Sequence, residues 1–197
     1  MIRCGLSSRV HLITPIRTFG GIASRLRQAA EARSGGSLQS YHVTKKLSYP
    51  QELLYDIISG VDKYHEFIPY CTHSFVNARD AEGEPIEAGL DVGFSAFHET
   101  FVCKLSCERP EKVKATSITE SLFESLDTDW TIKPLSGQGE REVCQVDLVL
   151  SYEFKDELYN KTSLFFAKKI TKLMLKALEQ RAFSMQKEFK ERAAASQ

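Results

Sequence analysis

His65-Glu66 and His98-Glu99 each set an imidazole beside a carboxylate, and Cys103 and Cys107 stand four positions apart, so proton transfer and metal binding are the first chemistries to weigh. Neighbours on a helix point about 100° apart, and neighbours on a strand point to opposite faces, so neither His-Glu pair is a ready-made acid–base dyad. His42, His65, His73 and His98 read as ordinary surface or core histidines. On a strand, the step from Cys103 to Cys107 covers roughly 13 Å, too far for both sulfurs to sit about 2.3 Å from one zinc. These cysteines read as buried or half-buried thiols, and no metal site is expected. Gly137-Gln138-Gly139 lacks the later glycine and the following helix of a phosphate-cradling loop and reads as a hairpin turn. No Gly-x-Ser-x-Gly nucleophile elbow occurs. The residues nominate no catalytic set, and the expectation is a protein that is not an enzyme.

The aromatic residues are more informative. Phe94, Phe97, Phe101, Phe123, Trp130, Phe154, Phe165 and Phe166 fall on segments that should face inward. Core packing takes most of them, and pocket lining by a subset stays open at this point. The stretch VDKYHEFIPYC, residues 61–71, crowds Tyr64, Phe67, Ile68, Pro69 and Tyr70 together beside a helix-stopping proline.

The chain has 197 residues, 42% hydrophobic and 26% charged, the makeup of one globular domain with a tail or two. No window of about 18 residues is free of charge, so no transmembrane helix is expected and membrane association would be peripheral. The formal net charge of zero hides an asymmetry. Residues 1–39 carry Arg3, Arg9, Arg17, Arg25, Arg27 and Arg33 against the single acid Glu31, with Ser7, Ser8, Ser24, Ser34 and Ser37 scattered among them. That pattern suits a mitochondrial transit peptide, with a disordered basic arm as the alternative. The remainder is mildly acidic, which argues against extensive nucleic-acid contact. Five cysteines, an odd number, fit a reducing compartment better than a disulfide framework.

The elements follow from periodicity. Tyr41–Leu47 reads as a strand, and Gln51–Ser59 as a helix with Leu53, Leu54, Ile57 and Ile58 at helical spacing and Gly60 as its stop. A second short helix spans Asp62–Phe67. Short β runs then follow, around His73–Ala78, Gly89–Phe97, Glu99–Glu108, Val113–Ser121, Leu122–Ile132 and Val143–Phe154, separated by turn residues. Phe101, Cys103, Leu105 and Cys107 alternate with more polar positions, as do Val146, Leu148 and Leu150, so one sheet face needs a cover. A long helix from about Asp156 to Lys190, free of proline and glycine, supplies it. On this helix Lys161, Lys168, Lys169, Lys172 and Lys176 share an arc of about 100°. Phe166, Ile170, Leu173, Met174, Ala177, Leu178, Met185 and Phe189 are expected on the opposite side, while Phe165 and Phe183 join the lysines. A basic face studded with phenylalanine suits an anionic membrane surface, and a merely solvated face is the bland alternative.

The segments LLYDIISGVDKYHEFIPYC, GLDVGFSAFHETFVCKL, LFESLDTDWTIKP and VDLVLSYEFKDELYNKTSLFF, spread over about Tyr41 to Ala182, resemble the mitochondrial coenzyme Q-binding proteins of the START-like, polyketide cyclase superfamily. The resemblance implies an α+β, START-like helix-grip fold: an antiparallel curved β-sheet of about 6–7 strands wrapped around a long C-terminal α-helix, with two short helices after the first strand. It implies a transit peptide or disordered leader over 1–39, a lipid-binding domain over 40–190 and a flexible tail over 191–197. The function implied is non-enzymatic binding of ubiquinone in a hydrophobic cavity, as a chaperone or carrier for the respiratory chain and for quinone biosynthesis. The location implied is the matrix side of the mitochondrial inner membrane, held peripherally by its lipids, with homo-oligomerisation left open. Ubiquinone would be a ligand, and no catalytic cofactor is implied. FSAF at Phe94–Phe97 and the more basic FFAKKITKLMLK depart from many relatives. The alternatives are a ribosome-associated regulator, like bacterial START-like toxins, and a small-molecule cyclase. Tyr64, Phe67, Pro69, Trp130, Phe165 and Phe166 are expected near the ligand, with Leu122, Leu126, Ile170 and Leu173 beside them. Lys161, Phe165, Lys168, Lys169, Lys172 and Lys176 are expected at the membrane.

Overall fold

A computed structural model describes residues 38–94, 97–119, 122–135, 142–155 and 163–195, all of them in the compact unit Ser37–Gln197. The leader up to residue 37 and Lys161 lie outside the described residues, as do the side chains of Phe94, Phe97, Phe165 and Phe166. The elements run β1 (Gln39–Leu47), α1 (Gln51–Ser59), a 3-10 helix (Val61–Glu66), β2 (Cys71–Arg79), β3 (Pro85–Phe94), β4 (Phe97–Glu108), β5 (Lys112–Ser117), β6 (Phe123–Leu135), β7 (Val143–Phe154) and α2 (Ser163–Ala195).

The seven strands form one antiparallel sheet in the order β1-β7-β6-β5-β4-β3-β2. From β2 to β7 each strand pairs with the next in sequence, as short turns dictate. β1 closes the far edge by pairing with β7, Val43 opposite Leu148. Because side chains alternate along a strand, the register carries apolar rows across the inner face. One such row runs Val43, Leu148, Trp130, Val113, Cys107. In β6 the pairing steps from Phe123–Phe154 to Leu126–Tyr152, three residues against two. That bulge lets both Phe123 and Leu126 face inward despite their odd spacing.

Among the described residues, two helices cover the inner face. α1 lies against β5 and β6, while α2 packs on β1, β7 and α1. Leu54, Tyr55, Ile58, Val146 and Leu148 are almost wholly buried, each apolar side chain of that size contributing roughly 1.5–3 kcal/mol. On α2, Ala167, Thr171, Leu175, Leu178 and Ala182 are buried and Lys168, Lys169, Lys172 and Lys176 are exposed. Phe183 stands 61% exposed on the lysine side. Phe189 differs from expectation. It shares the angular position of the core-facing residues, yet it is 74% exposed. α2 continues to Ala195, into the stretch expected as a flexible tail, and from residue 187 to 192 every side chain on it is exposed.

Candidate ligand-binding site

The segment that links α1 to the sheet builds one end of the interior. Val61 and Tyr64 of the 3-10 helix are buried with Cys71 and Ala88, and Phe67 and Ile68 pack against them half-buried. The Tyr64 hydroxyl donates to the Ile58 carbonyl at 2.6 Å, so its polar end is satisfied and its ring is held in place. Burial pushes that phenol well above its usual range. Tyr70, at φ 69°, turns the chain sharply into β2. Pro69 and Tyr70 stand exposed as a result, and Pro69 lines neither of the cavities described below.

Tyr64, Phe67 and Trp130 converge, as their aromatic character suggested. With Ile57, Ile58, Ile68, Met174 and Leu178 they enclose a void of about 10 Å³ between α1, the sheet and α2. Nothing larger than a water fits such a space. The open cavity expected from the fold is therefore a closed apolar seam at this end. Met174 and Leu178, spaced i and i+4 on the apolar side of α2, were legible as core but not as seam lining. The other expected positions sit elsewhere. Leu122 and Leu126 are half-buried with Phe123 against Leu150, Tyr152, Phe154 and Ala167, and Phe101 joins them with its ring 5.9 Å from that of Phe123. Ile170 and Leu173 of α2 are half-buried. The interior thus has a closed end around Trp130 and a second, aromatic end around Phe123, seven residues or roughly 20 Å away along β6 once the bulge is allowed for.

A second cavity, of about 560 Å³, was not foreseen. Its lining comes from segments far apart in sequence, which explains why no local pattern marked it. Lys63, Arg79, Arg109 and Arg181 face Asp56, Asp62, Glu82 and Glu84 there, and Ile57 and Phe67 are shared with the apolar void. Arg109 is fully committed, donating to Glu84 at 2.7 Å, Glu52 at 2.8 Å and Asp56 at 2.8 Å, with its guanidinium 4.4 Å from the Tyr55 ring centre. The Tyr55 hydroxyl donates to Glu84 at 2.9 Å; burial first, and that carboxylate second, push its phenol far up. Arg181 donates to Glu66 at 2.7 Å and sits 5.6 Å from the Phe67 ring centre. Together with Lys45 to Glu179 at 2.6 Å, this fastens the C-terminal half of α2 to the body of the domain.

Among the described residues, the polar groups do not assemble a reaction centre. The Ser74 hydroxyl lies 2.9 Å from the His65 ring, but it donates to the Asp62 carbonyl and accepts the His65 backbone N–H, stitching the 3-10 helix to β2. Glu66 is turned to Arg181 instead of to His65. Buried Thr171 donates back to the Ala167 carbonyl. Cys103 is pushed up to about 11 by burial, reinforced by Asp127, and is an unreactive thiol at neutral pH. Cys71, Cys107 and Cys144 are also raised, each chiefly by burial. Among the described residues, no three His, Cys, Asp or Glu side chains are grouped to hold a metal ion, and no helix is long and apolar enough to cross a membrane.

The comparisons agree with this architecture. The family described as polyketide cyclase / dehydrase and lipid transport matches residues 47–179. The coenzyme Q-binding protein COQ10, mitochondrial, of Eremothecium gossypii is 36% identical over 98% of this chain and 96% of its own length. The protein of the same name from Saccharomyces cerevisiae is 37% identical over 75% of this chain and 72% of its own. A START superfamily protein from Mycobacterium smegmatis superposes with a TM-score of 0.66 at 18% identity, over 74% of this chain and 98% of that one, and so shows the fold. With a sheet that grips a terminal helix over an apolar seam, and with relatives this similar over this much of its length, the chain belongs to the mitochondrial coenzyme Q-binding protein family, within the polyketide cyclase / dehydrase and lipid transport proteins.

Proposed function

We propose that this protein binds coenzyme Q between α2 and the inner face of the sheet, as a non-enzymatic chaperone or carrier that supports respiratory electron transfer and quinone biosynthesis. The observation that carries this reading is the apolar seam itself, where Trp130, Phe67, Met174 and Leu178 meet around a void that no charged side chain lines. The names of the relatives point to the same ligand and to the mitochondrion.

The seam is closed, and a quinone ring with its first isoprene units needs a pocket within the usual range of roughly 300–1,000 Å³. Binding therefore requires α2 to lift from the sheet. The C-terminal half of α2 is fastened by Arg181 to Glu66 and Lys45 to Glu179, so the movement is assigned to its N-terminal half, near Ala167 and Phe123. Measured from water, each buried methylene of the tail contributes roughly 0.8 kcal/mol, which offsets the cost of parting the helix from the sheet. The bilayer solvates the same methylenes equally well, so extraction of a long tail gains little, and the distal tail stays in the lipid. Docking is assigned to the exposed face of α2, where Lys168, Lys169, Lys172 and Lys176 have no carboxylate within ion-pair distance among the described residues. Lys161 and Phe165 extend that face in sequence. An anionic inner-membrane surface on the matrix side suits these charges.

Trp130 is the one tryptophan of the chain and lines the seam, so its fluorescence reports occupancy directly. Titration with a ubiquinone of two isoprene units is expected to quench it saturably. Quenching that rises linearly, as for free tryptophan in solution, would contradict the reading.

A further inference from the structure

The apolar seam and the 560 Å³ polar cavity are separated only by a wall that includes Ile57 and Phe67, since both residues line both spaces. Phe67 is a half-buried ring, packed edge-on against Tyr64 at 5.6 Å and with the Arg181 guanidinium 5.6 Å from its centre. An apolar seam that closes on the Phe67 ring, with a polar cavity beyond it, matches a ligand with a greasy tail and a polar head. The chamber lies within the size range of small-molecule sites.

The charges of the chamber narrow the choice of head. The carbonyl and methoxy oxygens of a substituted benzoquinone accept hydrogen bonds and donate none, so the site must supply donors. Arg109 is consumed by three carboxylates, and Arg181 by Glu66. Arg79 lies 3.6 Å from Asp62 and donates one N–H to the Gly83 carbonyl, leaving the rest of its fork open. Lys63 is exposed at the chamber wall and has no ion-pair partner among the described residues. Resting on the reading that the seam takes the quinone tail, we propose that the polar chamber is the head-group site. The ring passes Phe67 and is held by Lys63 and Arg79, while the tail trails back through the seam toward the Phe123 end and the membrane. The head is then presented to water on the far side of the domain from the tail's entry.

The test compares two probes on the full-length protein by titration calorimetry. One is 2,3-dimethoxy-5-methylbenzoquinone carrying two isoprene units. The other is farnesene, an isoprenoid hydrocarbon without a head. In the double variant Lys63→Gln, Arg79→Gln the quinone is expected to bind about ten-fold more weakly, the loss that two modest hydrogen bonds imply, while farnesene affinity stays unchanged. Lys63→Gln alone, at an exposed position, is expected to lose part of the quinone affinity without lowering the melting temperature. Unchanged quinone affinity in both variants overturns the head-group assignment while leaving quinone binding in the seam intact. A parallel loss for both probes also overturns it, because the residues then act only by supporting the fold. Binding of neither probe to the wild-type protein removes the seam reading itself, and this proposal with it.

Discussion

Leu178→Ala separates the energetics of the fold from those of the ligand. Leu178 is 2% exposed and lines the 10 Å³ seam beside Trp130 and Met174. Deleting a fully buried leucine to its β-carbon costs about 2–5 kcal/mol. Taking about 3 kcal/mol, a domain of this size is expected to melt roughly 6–12 °C lower. The same change removes three carbon-sized groups from the place where the tail must lie. A tail that fills two of those positions recovers about 1.6 kcal/mol of methylene burial that the wild type obtains only by parting α2 from the sheet. Affinity for a ubiquinone of two isoprene units is therefore expected to rise about ten-fold in the variant. The variant should also regain more melting temperature from saturating ligand than the wild type does, following the logarithmic dependence of stability on ligand concentration. Fluorescence titration and differential scanning calorimetry on the same preparation give both numbers. If affinity falls together with stability, the tail does not occupy the space beside Leu178, and the reasoning from the closed seam fails.

Replacing Lys168, Lys169, Lys172 and Lys176 together by glutamine removes about 1 kcal/mol of attraction to an anionic surface per lysine. Cosedimentation with cardiolipin-containing vesicles should then fall at least about hundred-fold, with the melting temperature unchanged; binding that persists would place the membrane face elsewhere. Burial pushes the Asp147 carboxyl up, but hydrogen bonds from Thr44 and Gln145 and the charge of Lys133 outweigh it and hold it below the ordinary range. A depressed carboxylate contributes stability above its unfolded pKa, and that contribution is lost as the pH falls through the folded value. Asp147→Asn should thus cost about 1–2 kcal/mol at pH 7, and the gap from wild type should close on acidification below about pH 4; a gap that does not change with pH would refute the assignment. Cys103, pushed up to about 11, is about one part in a thousand thiolate at pH 8, so iodoacetamide should label it far more slowly than glutathione, as read by peptide mapping. Labelling at the glutathione rate would contradict its burial.

Much of the frame was legible because local rules set it. α1 matches its expected bounds at Gln51–Ser59, and β7 matches at Val143–Phe154, where helical spacing and strict alternation leave one reading each. Pro85 and Pro134 read as turn residues by type, yet both lie inside strands. Pro85 is the first residue of β3, where a missing N–H is tolerated. Pro134 lies beyond the last β5 partner of β6 at Thr131, so only β7 flanks it and its free side needs no donor. The pairing of β1 with β7 joins residues about a hundred positions apart, and no hairpin signal can announce it. Phe189 misled because angular position on a helix says nothing about where the helix outruns the sheet. The site divided in the same way. Trp130, Phe67 and Tyr64 were marked by their bulk, whereas the polar chamber unites Lys63, Arg79, Arg109 and Arg181 only through tertiary packing.

The central claim is that the seam between α2 and the sheet holds coenzyme Q. Protein purified from cells that make ubiquinone, extracted with organic solvent and resolved by chromatography with ultraviolet detection, tests it most directly. The expected result is a quinone recovered at close to one per chain, and recovered in smaller amount from a variant whose seam is blocked by Met174→Trp. Repeated absence of quinone from correctly folded protein, or equal recovery from the blocked variant, would contradict the claim.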